Sequence, residues 1–321
     1  MALAQLTRAG GEAKMLGYVV RRSAQSLLLV WLVTVVVFAL LHLTPGDPAS
    51  VILGENATPE QVQALQRSLG LDQPLVLQYA RFLSRALHGD LGTSIRAQRP
   101  ALEVVLERLP ATLLLTAGAF SFAVLIGMPI GVISAVKRLT LWDHGSMALA
   151  LLGQSMPGFW LGLVLITVFA VHLRWLPASG MGGISHVVLP AITLGMFLIG
   201  LIIRLTRSSM LDVLGQDYVR TARAKGLAER MVVMQHALMN ALIPVVTLLG
   251  LQLGLLLGGA VITETVFAWP GVGLTTVTAI HQRDYPVVQC AVLVSAVLVL
   301  SINWAVDLLY HYLDPRVHAV E

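Results

Sequence analysis

Two carboxylates interrupt the apolar runs of this 321-residue chain: Glu264 in "VITETVFAW" and Asp307 in "INWAVDLL". An acid within a hydrophobic run is costly and points to function by default, and a proton relay is the chemistry that it would serve. Both acids stand near the ends of their runs, where water or a neighbouring subunit can solvate them, which favours structural anchoring. The lysines are Lys14, Lys137 and Lys225, and none precedes Ser or Thr. The GK[ST] phosphate cradle of a P-loop is therefore missing, so ATP hydrolysis, if transport needs it, belongs to another subunit. Neither HExxH nor CxxC occurs, and no Ser/His/Asp constellation stands out. His42, His172, His186 and His281 stand singly at the edges of apolar runs, without the short spacing of a preformed metal pair. Cys290 is the sole cysteine and lies in an apolar run, where it reads as a small packing residue. The chain itself is thus expected to carry no catalytic residue, no metal site and no bound cofactor.

The elements that must position these residues are membrane helices. The chain is 56% hydrophobic and 12% charged, against roughly 25% charged in soluble domains. Its net charge of +4 fits a positive-inside bias and gives no reason to invoke nucleic acid. Six stretches have the length of a span, roughly 20 residues: Ser23–Leu43, Ala111–Val136, Ser146–Val171, Val187–Ile203, Ala241–Thr263 and Tyr285–Val306. The first is too long for a signal-peptide core, and "LHLTPGDPA" after it offers no small-residue cleavage site, so it reads as a retained helix. "GMP" at Gly127–Pro129 suggests a kink in the second span.

Six alternating crossings put all three lysines and most arginines of the short loops on one side. Both termini are accordingly expected in the cytoplasm. The organisation is a cytoplasmic segment 1–22, a first helix 23–43, an external region 44–110, a five-helix core 111–311 containing a cytoplasmic segment 205–240, and a cytoplasmic tail 312–321. The external region is expected to be a small helical cap: Thr58 and Pro59 form a helix start, Val62, Leu65 and Leu69 and then Leu75, Tyr79, Phe82 and Leu83 keep helical spacing, and Gly70 and Pro74 separate the two helices.

The cytoplasmic segment "GQDYVRTARAKGLAERMVVMQHALMNALIPV" (215–245) holds the densest charge in the core. Leu214, Tyr218, Ala222, Leu227, Met231, Met234 and Leu238 form an apolar stripe, with Arg220, Arg223, Lys225 and Arg230 mostly off it. The pattern slips at Gly226, so two short amphipathic helices are expected, joined at a sharp bend. Composition alone leaves two roles open, resting on anionic lipid or docking a cytoplasmic partner.

"DYVRTARAKGL" followed by "HALMNALIPV" resembles the cytoplasmic signature of permease subunits of binding-protein-dependent ABC importers, and within them the dipeptide/oligopeptide/nickel/glutathione type. "TPGDPA", "LGLDQPL", "HGDLGTS", "SMPGFWLG", "TRSSMLDVLGQDY", "ETVFAWPGVG", "RDYPVVQ" and "VDLLYHYLDPR" carry the resemblance along nearly the whole chain. The general importer motif has Glu-Ala-Ala, three residues, then Gly. Here Arg220, Thr221 and Ala222 take the first three places and Gly226 the fourth, a departure typical of the peptide branch.

The resemblance implies an all-α membrane protein of type I ABC importer permease architecture, with six transmembrane helices and an external helical insertion after the first. It implies a coupling element at Asp217, Tyr218, Arg220, Thr221, Ala222, Arg223, Lys225, Gly226 and Leu227, seated on an ATPase subunit. It further implies a re-entrant loop at the outer gate, near the docked binding protein, involving Glu264, Phe267, Trp269, Pro270, Gly271 and Asp284. The implied partners are a second homologous permease, two ATPase subunits that hold ATP and Mg, and an extracytoplasmic solute-binding protein, in a bacterial-type cytoplasmic membrane. Small peptides are the expected cargo, with nickel, metallophores or glutathione as alternatives. A proton-coupled carrier using Glu264 or Asp307 is the rival of another class, and a membrane enzyme the weakest.

Overall fold

The computed structural model describes residues 2–43, 53, 58–70 and 72–313. The "TPGDPA" motif and residues 314–321 lie outside them. Among the described residues five helices are long and apolar enough to cross a membrane, and a bent pair brings the number to as many as six. The chain divides into two compact units, Met1–Leu109 with Thr275–Glu321, and Pro110–Leu274.

In the first unit α1 (Ala2–Leu43) runs without a break through the expected boundary at residue 22. Two short helices follow. In α2 (Pro59–Leu69) Thr58 and Gln61 form a reciprocal capping box, and Gly70 closes the helix at φ +69°. The second, α3 (Leu75–Leu87), starts directly after Pro74. Both helices therefore form where the Thr58, Gly70 and Pro74 signals put them. After a turn comes α4 (Ala101–Leu106), which buries Ala101 and Val105 and packs on the last helix, Tyr285–Leu313. That last helix also lies along α1, where Trp304 Nε1 donates to Ser23 Oγ at 3.2 Å. Near the same end Arg22 grips Asp307 in an ion pair.

The second unit is built around α8 (Ile184–Leu214), reached through α5 (Leu109–Val136), α6 (Leu141–Ser155) and α7 (Gly158–Leu165). Leu198, Ile199, Ile202 and Ile203 of α8 are buried among the surrounding helices. Lipid removes most of the hydrophobic drive for helix association, so close van der Waals fit must supply it. Gly127 and Gly131 do this on α5: a Cβ at Gly127 would lie 3.0 Å from Ile202, and one at Gly131 2.7 Å from Cβ of Thr206. The helix continues through Pro129, and the "GMP" stretch where a kink was expected also provides part of this contact surface.

Two expectations are corrected here. The third span is not one helix: α6 and the stretch Gly158–His172, which includes a π-helical end at Ile166–His172, are bent by 108°. Pro157 has no N–H to continue the α6 ladder and forces Met156 into an extended conformation (ψ 128°). The fourth span, expected at Val187–Ile203, is longer than that at both ends, because α8 runs from Ile184 to Leu214, about two turns beyond Arg207. Then come α9 (Asp217–Ala224), α10 (Glu229–Met231), a π-helical turn at Val232–Ala237, and α11 (Leu238–Val266). The helix α12 (Val272–His281) follows, and α13 denotes Tyr285–Leu313.

Candidate functional site

The bend within 217–231 forms as its glycine requires. Gly226 stands at φ +76°. Its N–H bonds the Arg223 carbonyl at 2.9 Å and the Leu227 N–H reaches back to Ala222 at 3.4 Å. Those two bonds are the paired closure of a helix whose next residue is left-handed. Across the bend, Arg223 holds Glu229 by two bonds, Nε–Oε2 at 3.1 Å and Nη2–Oε1 at 2.7 Å. That hydrogen bond raises the already high pKa of the Arg223 guanidinium further. Asp217 sits in the first turn of α9, where an acid complements the exposed N–H groups, and Thr221 donates its hydroxyl back to the Asp217 carbonyl at 2.9 Å.

The buried side of this bend differs from the expected stripe. Val219, Ala222 and Val232 are buried together against Val213 and Leu214, and Val233 and Ala237 against Ala135 and Met210. Tyr218, Leu227, Met231 and Met234 are exposed instead. The phase is off because the Gly226 turn and the π-helical turn at 232–237 each shift which residues share a face. The outcome is an outward surface of Tyr218, Leu227, Met231 and Met234, with exposed Arg220, Lys225 and Arg230 around it.

Beside this unit's loop 137–140 lies a pair that spacing did not reveal. Asp143, 3% exposed, accepts from Arg207 Nε at 2.6 Å and Nη2 at 2.9 Å, from Ser134 Oγ at 2.6 Å and from the Leu139 N–H at 3.0 Å. One carboxylate thereby joins α5, the turn after it, α6 and α8. The only local signal was an acid in the first turn of α6; its arginine stands 64 residues away.

At the opposite end of α11, Glu264 is fully buried. Its carboxylate accepts the Thr112 hydroxyl at 2.6 Å and the Leu274 N–H at 3.0 Å, while the Thr112 oxygen accepts the Val272 N–H at 2.8 Å. The acid thus caps the first turn of α12 from a distance, satisfying donors that an α-helix leaves free. Trp269 is buried as well and donates its Nε1–H to the Ala111 carbonyl at 2.8 Å, and Phe267 is buried beside it. Pro270 is half-buried and Gly271 buried. These residues form one tied turn, so the two aromatic rings are packing anchors and not the lining of an open mouth. Asp284 belongs to the first unit, where it is buried and accepts from Ser94 Oγ, the Ile95 N–H at 3.1 Å and the Arg96 N–H at 3.2 Å. It holds the "GTSIR" turn, a partnership that no sequence spacing announced. Asp307 is engaged by Arg22.

Comparison with known proteins decides the family. Residues 127–319 match the family described as binding-protein-dependent transport system inner membrane component, and residues 15–116 its N-terminal companion. The chain belongs to this permease family. This permease is 44% identical to the dipeptide transport system permease protein DppB of Alkalihalophilus pseudofirmus, over 94% of this chain and 99% of that protein. It is 43% identical to DppB of Escherichia coli strain K12, over 89% of this chain and 94% of that one. Identity to the glutathione transport system permease protein GsiC of Salmonella paratyphi A is 45%, over 94% and 99%. The permease fold is also similar to that of the inward-facing MetNI methionine ABC transporter, with a TM-score of 0.55 at 21% identity, covering 66% of this chain and 96% of that chain. The all-helical architecture of a type I ABC importer permease expected from the motifs is thus the one found. As a family member, the permease is a multi-pass protein of the inner membrane.

Proposed function

We propose that this permease forms half of the translocation pathway of an ATP-driven importer of small peptides and receives its drive through Asp217–Leu227. A second homologous permease completes the pathway. Two ATPase subunits bind ATP and Mg, and a solute-binding protein delivers cargo on the outer side. In this reading both termini lie in the cytoplasm and the Glu264–Gly271 turn faces the outer gate. The observation that carries the proposal is the two-sided build of the bend. Its inner face is packed onto the chain's own helix ends through Val219, Ala222 and Val232. Its outer face presents Tyr218, Leu227, Met231 and Met234, amphipathic or apolar side chains of the kind that seat a helix in a partner's groove. Because the bend leads directly into α11, a displacement imposed by a docked motor is passed to a helix long enough to span the membrane. Nucleotide-driven closure of the motor then selects between inward- and outward-open states.

Short peptides are favoured as cargo because both named transport systems of the close relatives carry them, dipeptides in one case and the tripeptide glutathione in the other. Nickel remains a family-level alternative that no relative named above supports. The carrier reading is disfavoured because Asp307 is paired with Arg22 and Glu264 is saturated by hydroxyl and N–H donors.

The test uses the outward face. Tyr218→Asp and Met231→Asp leave the inner packing untouched, whereas a charge at Ala222, which is buried, would disturb the bend itself. With the partner subunits co-expressed, each variant should insert normally while peptide uptake and peptide-stimulated ATP hydrolysis fall by about tenfold or more. Wild-type coupling in both variants would overturn the docking assignment. Uptake by the reconstituted chain alone, driven by a pH gradient without ATP, would overturn the importer reading.

A further inference from the structure

The helix α3 has no buried residue, yet its exposed surface is sharply divided. At about 100° per residue, Val76, Ala80, Leu83 and Leu87 fall on one flank, and Arg81, Ser84, Arg85 and His88 on the other. Leu77 is the one large apolar side chain on the polar flank. Val76 and Leu87 are 81% and 80% exposed, unusual for aliphatic residues facing water. Between the two flanks, the helix rests on α1: Tyr79 and Phe82 stack against Phe38 with ring centroids 5.4 and 5.9 Å apart, and the Tyr79 and Thr34 hydroxyls share a hydrogen bond of 2.8 Å.

Those contacts fix its level. The apolar run of α1 continues to Leu43. Phe38 lies five residues inside that end, about 7–8 Å along the axis at 1.5 Å per residue. The last helix gives the same level independently. Its span begins at Tyr285, and Gln289, four residues inside, donates to the Val37 carbonyl at 3.4 Å. A helix at that height cannot have water on all sides.

We infer that α3 is a membrane-interface helix, with its Val76–Ala80–Leu83–Leu87 flank against lipid acyl chains and its Arg81–Ser84–Arg85–His88 flank in the headgroup and water layer. The external region is then no free-standing aqueous cap. It sits in the leaflet at the C-terminal end of α1, continuous with that helix's lipid-facing surface. Helices of this kind immerse their apolar side by about 5–10 Å, which agrees with the level set by Phe38. The tyrosine and the two cationic side chains match the chemistry of that boundary.

The test is spin labelling of Val76→Cys, Leu87→Cys, Arg81→Cys and Ser84→Cys in the full chain, reconstituted in liposomes of phosphatidylethanolamine and phosphatidylglycerol. All four positions are exposed, and Cys290 is buried and stays in place. Labels at 76 and 87 should collide more often with oxygen than with a water-soluble nickel chelate, and labels at 81 and 84 should reverse that order. Equal access of the chelate to all four sites would overturn the assignment. So would labels at 76 and 87 that lose chelate access only when the solute-binding protein is added, because the flank would then be a protein-docking face.

Discussion

Arg207 grips Asp143 side-on, with Nε 2.6 Å from one carboxylate oxygen and Nη2 2.9 Å from the other. The acid side chain is 5% exposed and the guanidinium 23%. Such a pair is weak evidence for stability as a whole, but removing one member strands the other's charge and costs about 3–5 kcal/mol. Asp143→Ala is therefore expected to lower the unfolding midpoint of the purified permease strongly, and the double variant Asp143→Ala with Arg207→Met should recover most of the loss. Arg207→Lys alone should also lower the midpoint, because an ammonium cannot make the two parallel bonds. A thermal melt of the four proteins in one detergent checks all three statements.

Gly226 has nothing within 4 Å of the place where a Cβ would go. Any penalty there comes from backbone conformation, not from crowding within the chain. At φ +76° a β-branched residue should cost more than the roughly 1–2 kcal/mol of an ordinary side chain in the left-handed region, and asparagine less. Uptake should thus fall in the order Gly, Asn, Ala, Val at this position. A flat series would mean that the bend has no share in transport.

A Cβ on Gly271 would lie 2.2 Å from Glu264 Oε1, and the turn has no slack because Trp269 is held by Ala111. Gly271→Ala should destabilise the permease by about 1–3 kcal/mol, the range of an overpacked core. Shortening the acid in the background of that variant, with Glu264→Asp, should restore part of the midpoint. If the double variant is as unstable as the sum of the singles, the clash is not between these two residues.

Asp284→Ala removes the acceptor for Ser94 Oγ and for the Ile95 and Arg96 N–H groups. Losing such an acceptor costs about 1–3 kcal/mol, all of it local to the turn. The exposed Arg96 should then become a trypsin site cut about tenfold faster, since cleavage tracks the open population. Time-resolved peptide mapping reads this directly, and an unchanged cleavage rate would show that other contacts hold the turn.

Much of this molecule was legible before any coordinates. Helices at 59–69 and 75–87 follow from Thr58, Gly70 and Pro74 because caps and prolines act through the backbone of the next few residues. The same locality made the bend at Gly226 readable. Hydropathy hid the break at Met156–Pro157, because the run is equally apolar on both sides of it and a composition window cannot see a missing N–H. The exposed face of the bend was misassigned by a residue or two, since 3.6-residue counting fails across a turn and a π-helical stretch.

Composition, helix length and punctuation by Gly, Pro and Thr determined that this chain is a bundle of membrane helices with one bent segment between two of them. Those signals are local, and a free backbone in lipid leaves almost no alternative to a helix. Only the tertiary structure decided which buried charges are anchors. Asp143 finds Arg207, Glu264 finds Thr112 and the start of α12, and Asp284 finds Ser94. A carboxylate's role depends on which donors reach it, and between Asp143 and Arg207, Glu264 and Thr112, and Asp284 and Ser94, 64, 152 and 190 residues of chain intervene, a distance that no periodicity spans.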